Sequence, residues 1–177
     1  MSEQQTRISL IAAFGTNRAM GKDNGLPWGK LPRDMRRFRK LTFGHPVAMG
    51  RSTFESLSKK PLPKRLNIVL SRTLRQADLP TGLLVANSVP AVVAAMETAG
   101  ETELFFIGGA QVFKEVMPLA HRMYLTLVHQ DFPADTFFPE FDLADPAWIS
   151  REVDTFPADA DNLFAMTFIT LDSRKMQ

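Results

Sequence analysis

The chain has 177 residues with a formal net charge of +2, and 45% of its residues are hydrophobic. This length and apolar content predict one domain, spanning residues 1–177, that folds alone. The absence of cysteine excludes a disulfide framework, a thiolate nucleophile and a cysteine-ligated zinc cluster. The polar start and the short apolar run Ile8–Phe14 predict neither a secretion signal nor a membrane span, so a cytoplasmic protein without membrane contact is expected.

The first predicted element is an apolar strand over Arg7–Gly15. Near-continuous apolar residues are typical of a strand that is covered on both faces of a parallel sheet, so this strand should be central. The stretch Ala19–Phe38 begins as an irregular loop, in which Gly21 and Gly25 flank the turn-forming pair Asp23–Asn24. We expect this loop to be mobile, with no strand at its start.

A helix is predicted from Pro32, because proline at the first helical position loses no hydrogen bond. Asp34 follows in the first turn and shares an apolar face with Phe38 and Leu41. A carboxylate on this face requires a ligand with cationic or N–H donor groups. The alternative is an exposed acid that favours the positive end of the helix dipole.

Basic residues fill most other positions of this helix, and a second basic cluster lies within Lys59–Arg75. For Arg36, Arg37 and Lys40 we expect a solvated helix face without a specific function. A local excess of bases suits an anionic small molecule, whereas a nucleic-acid-binding protein usually has a larger net charge and interleaved aromatic residues. No nucleic-acid partner is therefore expected.

The rest of the chain predicts strands that alternate with helices, followed by strands alone. Strands are predicted at Pro46–Gly50, Leu66–Leu70, Leu83–Ala86, Leu104–Ile107, Met123–Val128, Trp148–Phe156 and Leu163–Leu171, and helices from Ser52, over Ser88–Ala99 and over Ala110–Met117. Ser52 and Glu55 fit a capping box, and Pro118 should end the last helix. The turn-rich segment Pro157–Asn162 predicts an antiparallel final pair. This order indicates an α/β sheet with an antiparallel C-terminal edge.

Three junctions that follow strands are candidate phosphate sites. At Gly50–Thr53 a helix start, two hydroxyls and the Arg51 guanidinium converge, although an ordinary capped helix is the alternative. Ser71-Arg72 places a hydroxyl beside a base, which is a weak signal alone. Gly108-Gly109 lacks the third glycine of a dinucleotide fingerprint and by itself indicates only a tight turn.

A series of short motifs runs along almost the whole chain. They are Met20-Gly21, Leu26-Pro27-Trp28, Asp34, Phe38, Thr42, Pro46–Thr53, Pro61–Arg65, Ile107–Gly109, Tyr124–Thr126 and Asp135–Pro139. In this order the chain resembles dihydrofolate reductases. The resemblance implies a twisted, mostly parallel eight-stranded sheet with helices on both faces and a C-terminal antiparallel strand pair. It also implies NADPH-dependent reduction of 7,8-dihydrofolate to 5,6,7,8-tetrahydrofolate for one-carbon metabolism, with a hydride added to C6 and a proton to N5.

The resemblance further implies roles for individual residues. Asp34 would anchor the pterin ring, while Leu26 and Trp28 would control the water that brings the proton. The folate slot would be formed by Ile11, Asp34, Met35, Phe38, Leu57, Arg65, Ile107 and Thr126, although the apolar members are more simply explained as core. Arg65 would hold the carboxylate of the glutamate tail. The cofactor would be bound by Ala13, Met20, Gly21, Gly50, Arg51, Ser52, Thr53, Ser71, Arg72, Gly108, Gly109, Ala110, Gln111, Val112 and Phe113.

The same resemblance implies a cis Gly108–Gly109 bond, a 2′-phosphate contact at Ser71-Arg72, and an Asp135-Thr136 turn that braces the loop after Met20. Arg51 and Arg72 together would favour NADPH over NADH. The chain departs from the family at Arg37, where an aromatic residue is common in bacterial members. Its spacing between Trp28 and Asp34 is also one residue longer than in the shortest members. These departures bear on loop closure and on the response to antifolates.

Two rival functions stay open. One is a reductase of the same fold that acts on a riboflavin precursor, and the other is a folate- or RNA-binding protein without turnover, suggested by the basic segment Arg33–Lys40. The histidines His45, His121 and His129 have no metal-ligand spacing, so no metal is expected. Dihydrofolate and antifolate-type small molecules are the expected partners of a monomer.

Overall fold

A computed structural model describes residues 5–176 of the chain. The strands are β1 (Arg7–Gly15), β2 (Ala19–Gly21), β3 (Val47–Gly50), β4 (Asn67–Leu70), β5 (Leu83–Ala86), β6 (Glu103–Phe106), β7 (Arg122–Val128), β8 (Thr136–Phe137), β9 (Trp148–Phe156) and β10 (Met166–Ser173). The helices are α1 (Pro32–Thr42), α2 (Arg51–Ser56), α3 (Val89–Thr98) and α4 (Ala110–Val116), and short 3₁₀ turns cover Gln76–Asp78, Met117–Leu119 and Arg174–Met176.

Eight of these strands form one sheet in the order β5-β4-β3-β6-β1-β7-β10-β9. Strand β6 pairs in parallel with both β1 and β3, and β3, β4 and β5 continue the parallel pairing. Strand β10 instead runs antiparallel to β7 and β9. The predicted α/β class, the central first strand and the antiparallel C-terminal edge are therefore confirmed.

The chain divides into two compact units, of which the first combines the chain up to Leu10 with Thr42–Ala120. Strands β3 and β6 are its most deeply buried elements, and Met49, Phe105 and Phe106 are almost completely excluded from solvent. Unbroken burial along short strands is expected when neighbours pair on both edges and both faces are covered. This unit carries the glycines that end β3 and follow β6.

The second unit combines Ile11–Leu41 with the chain from His121 onward. Its core includes Trp28, Leu31, Phe132 and Phe168. The Trp28 and Phe132 rings meet edge to face, with their centroids 5.5 Å apart. Packing therefore fixes the end of the long loop before α1. The prediction of a single domain stays a prediction.

Several helix ends follow from local chemistry, and the start at Pro32 and the stop at Gly100 are as predicted. Helix α1 begins at Pro32. Before α3, the Ser88 hydroxyl accepts a hydrogen bond from the Ala91 amide at 3.3 Å, which is the usual role of an N-cap serine. Gly100 follows α3 with a φ of +73°, a conformation that glycine adopts without steric cost. No helix within residues 5–176 is both long and apolar enough to cross a membrane.

Three local predictions are wrong. The loop after β1 starts as a strand, because Ala19–Gly21 pairs with β8. Helix α2 has no side-chain cap, and Glu55 accepts a hydrogen bond from Arg51 Nε at 2.9 Å instead of forming a capping box with Ser52. Strand β10 begins at Met166 rather than Leu163, which is largely exposed. In the first case a partner distant in sequence outweighs the local pattern, and in the second a competing ion pair does so.

Candidate active site

Asp34 lies in the first turn of α1, as predicted. The Thr126 hydroxyl on β7 donates a hydrogen bond to Asp34 Oδ1 at 2.7 Å. Burial raises the pKa of Asp34 above its ordinary value, while this hydrogen bond and the charge of Arg37 act in the opposite direction. A carboxyl group whose ionisation is opposed by burial and supported by specific partners is a candidate functional group.

The start of α1 is held by the turn between β9 and β10. The Arg33 amide donates to Asn162 Oδ1 at 2.9 Å, and the Arg33 side chain donates to Asp159 Oδ2 at 2.8 Å. Asn162 is buried, and its side-chain and backbone N–H groups lower the pKa of Asp159 to about 2. A first-turn amide has no partner inside its own helix, so Asn162 supplies one from outside. This contact positions the turn that carries Asp34.

Arg37 does not lie on a solvated face, so that prediction is wrong. Its guanidinium carbon lies 4.5 Å from the ring centroid of Phe168 and 5.9 Å from that of Tyr124. Arg36 and Arg39, on the same helix, are exposed. Helical periodicity places Arg37 on the face of Asp34, but only the pairing of β7 with β10 brings two aromatic rings beneath it. The sequence carries no local signal of that arrangement.

The loop before α1 is braced as predicted. The Asp135 carboxylate accepts a hydrogen bond from the Asp23 amide at 2.8 Å, and the Asp135 amide donates to the Gly21 carbonyl at 3.0 Å. The turn itself closes through paired backbone hydrogen bonds between Lys22 and Gly25. A strand pair and an anchored turn thus precede the Leu26–Trp28 segment.

Leu26 and Trp28 differ sharply in burial. Leu26 is 47% exposed, whereas Trp28 is 6% exposed. Among the described residues, the Trp28 indole Nε1 is buried without a hydrogen-bond partner. A buried N–H group normally has a partner, so Nε1 is suited to donate to a ligand or an ordered water.

The residues predicted to line a folate slot are divided between the two units. Ile11, Asp34, Met35, Phe38 and Thr126 belong to the second, and Leu57, Arg65 and Ile107 to the first. Ile11 is buried, Met35 is 50% exposed, and Phe38, Leu57 and Ile107 are half-buried. Ile11 is therefore part of the buried core, whereas the other four apolar side chains keep some exposed surface, and the folate slot stays a prediction. The Arg65 Nη1 group donates to the Pro63 carbonyl at 3.2 Å.

In the first unit, glycine backbone forms a cradle at the ends of β3 and β6. The Gly50 amide donates to the Gly108 carbonyl at 2.7 Å, and the Gly108–Gly109 bond is cis, as predicted. A Cβ on Gly50 would lie 3.3 Å from Val112 Cγ2, and one on Gly108 would lie 3.3 Å from Thr53 Oγ1. Such crowding explains why side chains are excluded here, and bare backbone suits the close approach of a flat ligand.

The other predicted cofactor residues lie on several different elements of the chain. They are Ala13 on β1, Met20 and Gly21 on β2, Arg51, Ser52 and Thr53 on α2, Ser71 and Arg72 after β4, and Ala110, Gln111, Val112 and Phe113 on α4. The Arg51–Glu55 ion pair is exposed, so it contributes little to the free energy of folding. Arg51 is therefore able to bind an anion instead. The Ser71 hydroxyl accepts a hydrogen bond from the Leu74 amide at 3.1 Å, and Arg72 is exposed. Within residues 5–176, no cluster of three potential metal ligands occurs.

Together, a mostly parallel sheet, glycine-lined strand ends and a helical carboxylate that is costly to ionise define an α/β enzyme suited to a nucleotide cofactor. A family model described as dihydrofolate reductase matches residues 7–173. The chain belongs to the dihydrofolate reductase family.

Individual relatives cover nearly all of the chain. Dihydrofolate reductase type 3 of Salmonella typhimurium is 43% identical, over 95% of this chain and 99% of that protein. Dihydrofolate reductase of Bacillus subtilis is 40% identical, over 94% and 95%. The solved structure of dihydrofolate reductase from Enterococcus faecalis complexed with NADP(H) and RAB-propyl matches with a TM-score of 0.85 at 32% identity, covering 96% of this chain and 98% of that one.

Proposed function

We propose that this enzyme reduces 7,8-dihydrofolate to 5,6,7,8-tetrahydrofolate with NADPH, the reaction that maintains the folate pool of one-carbon metabolism. The match of the family over residues 7–173 carries this conclusion. The Enterococcus faecalis relative, which is complexed with NADP(H), supports the cofactor. When bound, NADPH supplies the hydride that is added to C6 of the substrate.

Asp34 is the proposed anchor of the pterin ring. Its carboxylate would accept hydrogen bonds from the N3–H and 2-amino groups of the ring, while Thr126 keeps Oδ1 oriented. Burial opposes ionisation of Asp34, and hydrogen bonds from a ligand with N–H donors would offset this cost by stabilising the charged carboxylate. The proton for N5 would arrive through water, to which the buried Trp28 Nε1 would donate, with the exposed Leu26 side chain limiting access.

The cofactor is proposed to pass along the glycine cradle. Gly50 and Gly108 present backbone where a Cβ would be crowded, and Gly109 adds a third residue without a side chain, so the residues present fit a nicotinamide nucleotide. The phosphates would be held by Arg51, Ser52, Thr53, Ser71 and Arg72, and the remainder of the cofactor by Ala13, Met20, Gly21, Ala110, Gln111, Val112 and Phe113. The apolar side chains Ile11, Met35, Phe38, Leu57 and Ile107 would contact the folate, and Arg65 its tail carboxylate.

The test is NADPH oxidation, followed by absorbance, with dihydrofolate and separately with a riboflavin-precursor substrate. We expect NADPH to be oxidised in the presence of dihydrofolate but not in the presence of the riboflavin precursor. The Asp34→Asn variant should fold and bind NADPH but turn over slowly at neutral pH, because an amide cannot supply the charge that the pterin requires. Oxidation with the riboflavin precursor alone, or full activity of Asp34→Asn, would contradict the proposal.

We further propose a monomeric, single-domain cytoplasmic enzyme that binds antifolate-type small molecules and no nucleic acid. The small net charge of +2 supports the last point, because nucleic-acid affinity depends on neutralising many phosphates. Light scattering during size-exclusion chromatography tests the oligomeric state. Titration with single-stranded RNA at physiological salt tests the second rival function, and tight, salt-dependent binding would favour it.

A further inference from the structure

Arg37 is connected to the candidate active site by a chain of polar contacts. Its Nη1 group donates to the Leu125 carbonyl at 3.2 Å and lies 3.5 Å from Thr126 Oγ1. The Thr126 hydroxyl donates in turn to Asp34 Oδ1 at 2.7 Å. A hydroxyl that accepts from a cation becomes a better donor, because hydrogen bonds in series polarise one another. The guanidinium, the hydroxyl and the carboxylate therefore act in sequence.

The second guanidinium nitrogen fixes the other side of Arg37. Nη2 donates to Thr170 Oγ1 at 3.3 Å, and the Thr170 hydroxyl donates to Glu152 Oε2 at 3.0 Å. The Phe168 ring lies beneath the guanidinium. Aromatic and hydroxyl contacts on two strands leave Arg37 little freedom to turn towards solvent, so its charge stays near Asp34.

Arg37 is partly buried among acidic groups. Burial holds the pKa of Arg37 below its ordinary value, although Asp34, Glu152, Tyr124 and Asp154 act in the opposite direction. An arginine is charged throughout the physiological range in any case. Facing Asp34, the groups that favour its ionised form are Arg37 and the Thr126 hydroxyl. Removal of the Arg37 charge would leave burial opposed by Thr126 alone.

We propose that Arg37 is a positioning residue that favours the ionised form of Asp34 and, through Thr126, keeps its carboxyl group correctly oriented for the pterin ring. This inference rests on the proposed function of Asp34 as the pterin anchor. The alternative is that Arg37 serves only to cover the Phe168 ring with its aliphatic stem. The two roles differ, because a covering role depends on shape and a positioning role depends on charge.

The direct test is titration of the Asp34 carboxyl carbon by ¹³C NMR in ligand-free protein, with the signal assigned from Asp34→Asn. In Arg37→Met, which keeps the stem but removes the charge, the midpoint should move to higher pH. In Arg37→Lys it should stay close to wild type. Arg36→Met is the matched control, since Arg36 is exposed on the same helix and its loss removes the same charge. Arg37→Gln serves if Arg37→Met does not fold.

The kinetic counterpart is the Michaelis constant for dihydrofolate as a function of pH. For Arg37→Met we expect a rise of roughly threefold to tenfold near the Asp34 midpoint, with kcat changed less, and convergence with wild type at higher pH. An unshifted Asp34 titration in both Arg37→Met and Arg37→Gln, or an equal shift in Arg36→Met, would overturn the inference. Because the titration needs no substrate, absent turnover in wild type would refute the proposed function and leave the titration result standing.

Discussion

Replacement of Thr126 by valine isolates the hydrogen bond that supports the candidate catalytic carboxylate. Thr126 is only 1% exposed, and its hydroxyl donates to Asp34 Oδ1 at 2.7 Å. Valine keeps the branched shape but places a methyl group where the donor was. A hydrogen bond to a charged group contributes about 1.5–3 kcal/mol. Because about 1.4 kcal/mol corresponds to tenfold, the loss should reduce kcat/KM for dihydrofolate by about 10- to 100-fold.

The pH dependence of Thr126→Val has a definite sign. The Thr126 hydrogen bond lowers the pKa of Asp34, so its removal leaves the carboxyl protonated up to a higher pH. The deficit in kcat/KM should therefore be greatest at lower pH and diminish as pH rises.

Steady-state NADPH oxidation with dihydrofolate measures this effect, with Thr126→Ser as the matched control. Serine keeps the hydroxyl and loses one methyl group, so its activity should stay near wild type. Equal activity of Thr126→Val and wild type would show that the hydrogen bond to Asp34 does not support turnover. An equal loss in Thr126→Ser and Thr126→Val would show that side-chain shape matters rather than the hydroxyl.

Three further substitutions test other parts of the structure. Gly109→Ala should fold normally but weaken NADPH binding measured by fluorescence, because the added Cβ has its nearest neighbour at 3.6 Å yet occupies the proposed cofactor path. Asn162→Ala should lower the free energy of unfolding in urea by about 1–3 kcal/mol, because the Arg33 amide loses its acceptor. Asp172→Asn should lower that free energy at pH 7, because Asp172 accepts a hydrogen bond from Arg122 Nη2 at 2.9 Å. Arg122 holds the pKa of Asp172 below 3.8, so the difference from wild type should persist above that pH and vanish in stronger acid.

Each of these has an outcome that would count against it. If Gly109→Ala binds NADPH with wild-type affinity, the cofactor does not pass along the glycine cradle. Unchanged stability of Asn162→Ala would mean that water satisfies the helix start equally well. A stability difference for Asp172→Asn that is independent of pH would show that packing, rather than charge, is lost.

Much of the fold follows from sequence because its strands and helices are locally marked. Continuous apolar runs identify the buried parallel strands, such as Arg7–Gly15, and Ser88 with Gly100 delimits α3. The boundaries that are predicted wrongly lie where tertiary contacts determine where a strand or helix begins. Ala19–Gly21 becomes a strand only because β8 lies beside it, and nothing in its own residues indicates that pairing.

The candidate site was predictable to the same extent. Asp34 shares a helix face with apolar residues, and Gly108-Gly109 stands in a motif of the resembled family, so both carry a signal in the sequence. Arg37 and Asn162 do not, because their partners lie on β7 and β10 or on α1, about a hundred residues distant in sequence. Residues that support a site through long-range contacts leave no local pattern, so the sequence alone predicts Arg37 to be part of a solvated basic face.

The proposed reaction is tested directly by following the transferred hydrogen. NADPH that carries deuterium at the transferred position of the nicotinamide would be incubated with the enzyme and dihydrofolate, and the folate product analysed by mass spectrometry and NMR. Hydride transfer from NADPH to C6 requires that the product is tetrahydrofolate with one deuterium at C6. Tetrahydrofolate without deuterium, or oxidation of NADPH without formation of tetrahydrofolate, would contradict it.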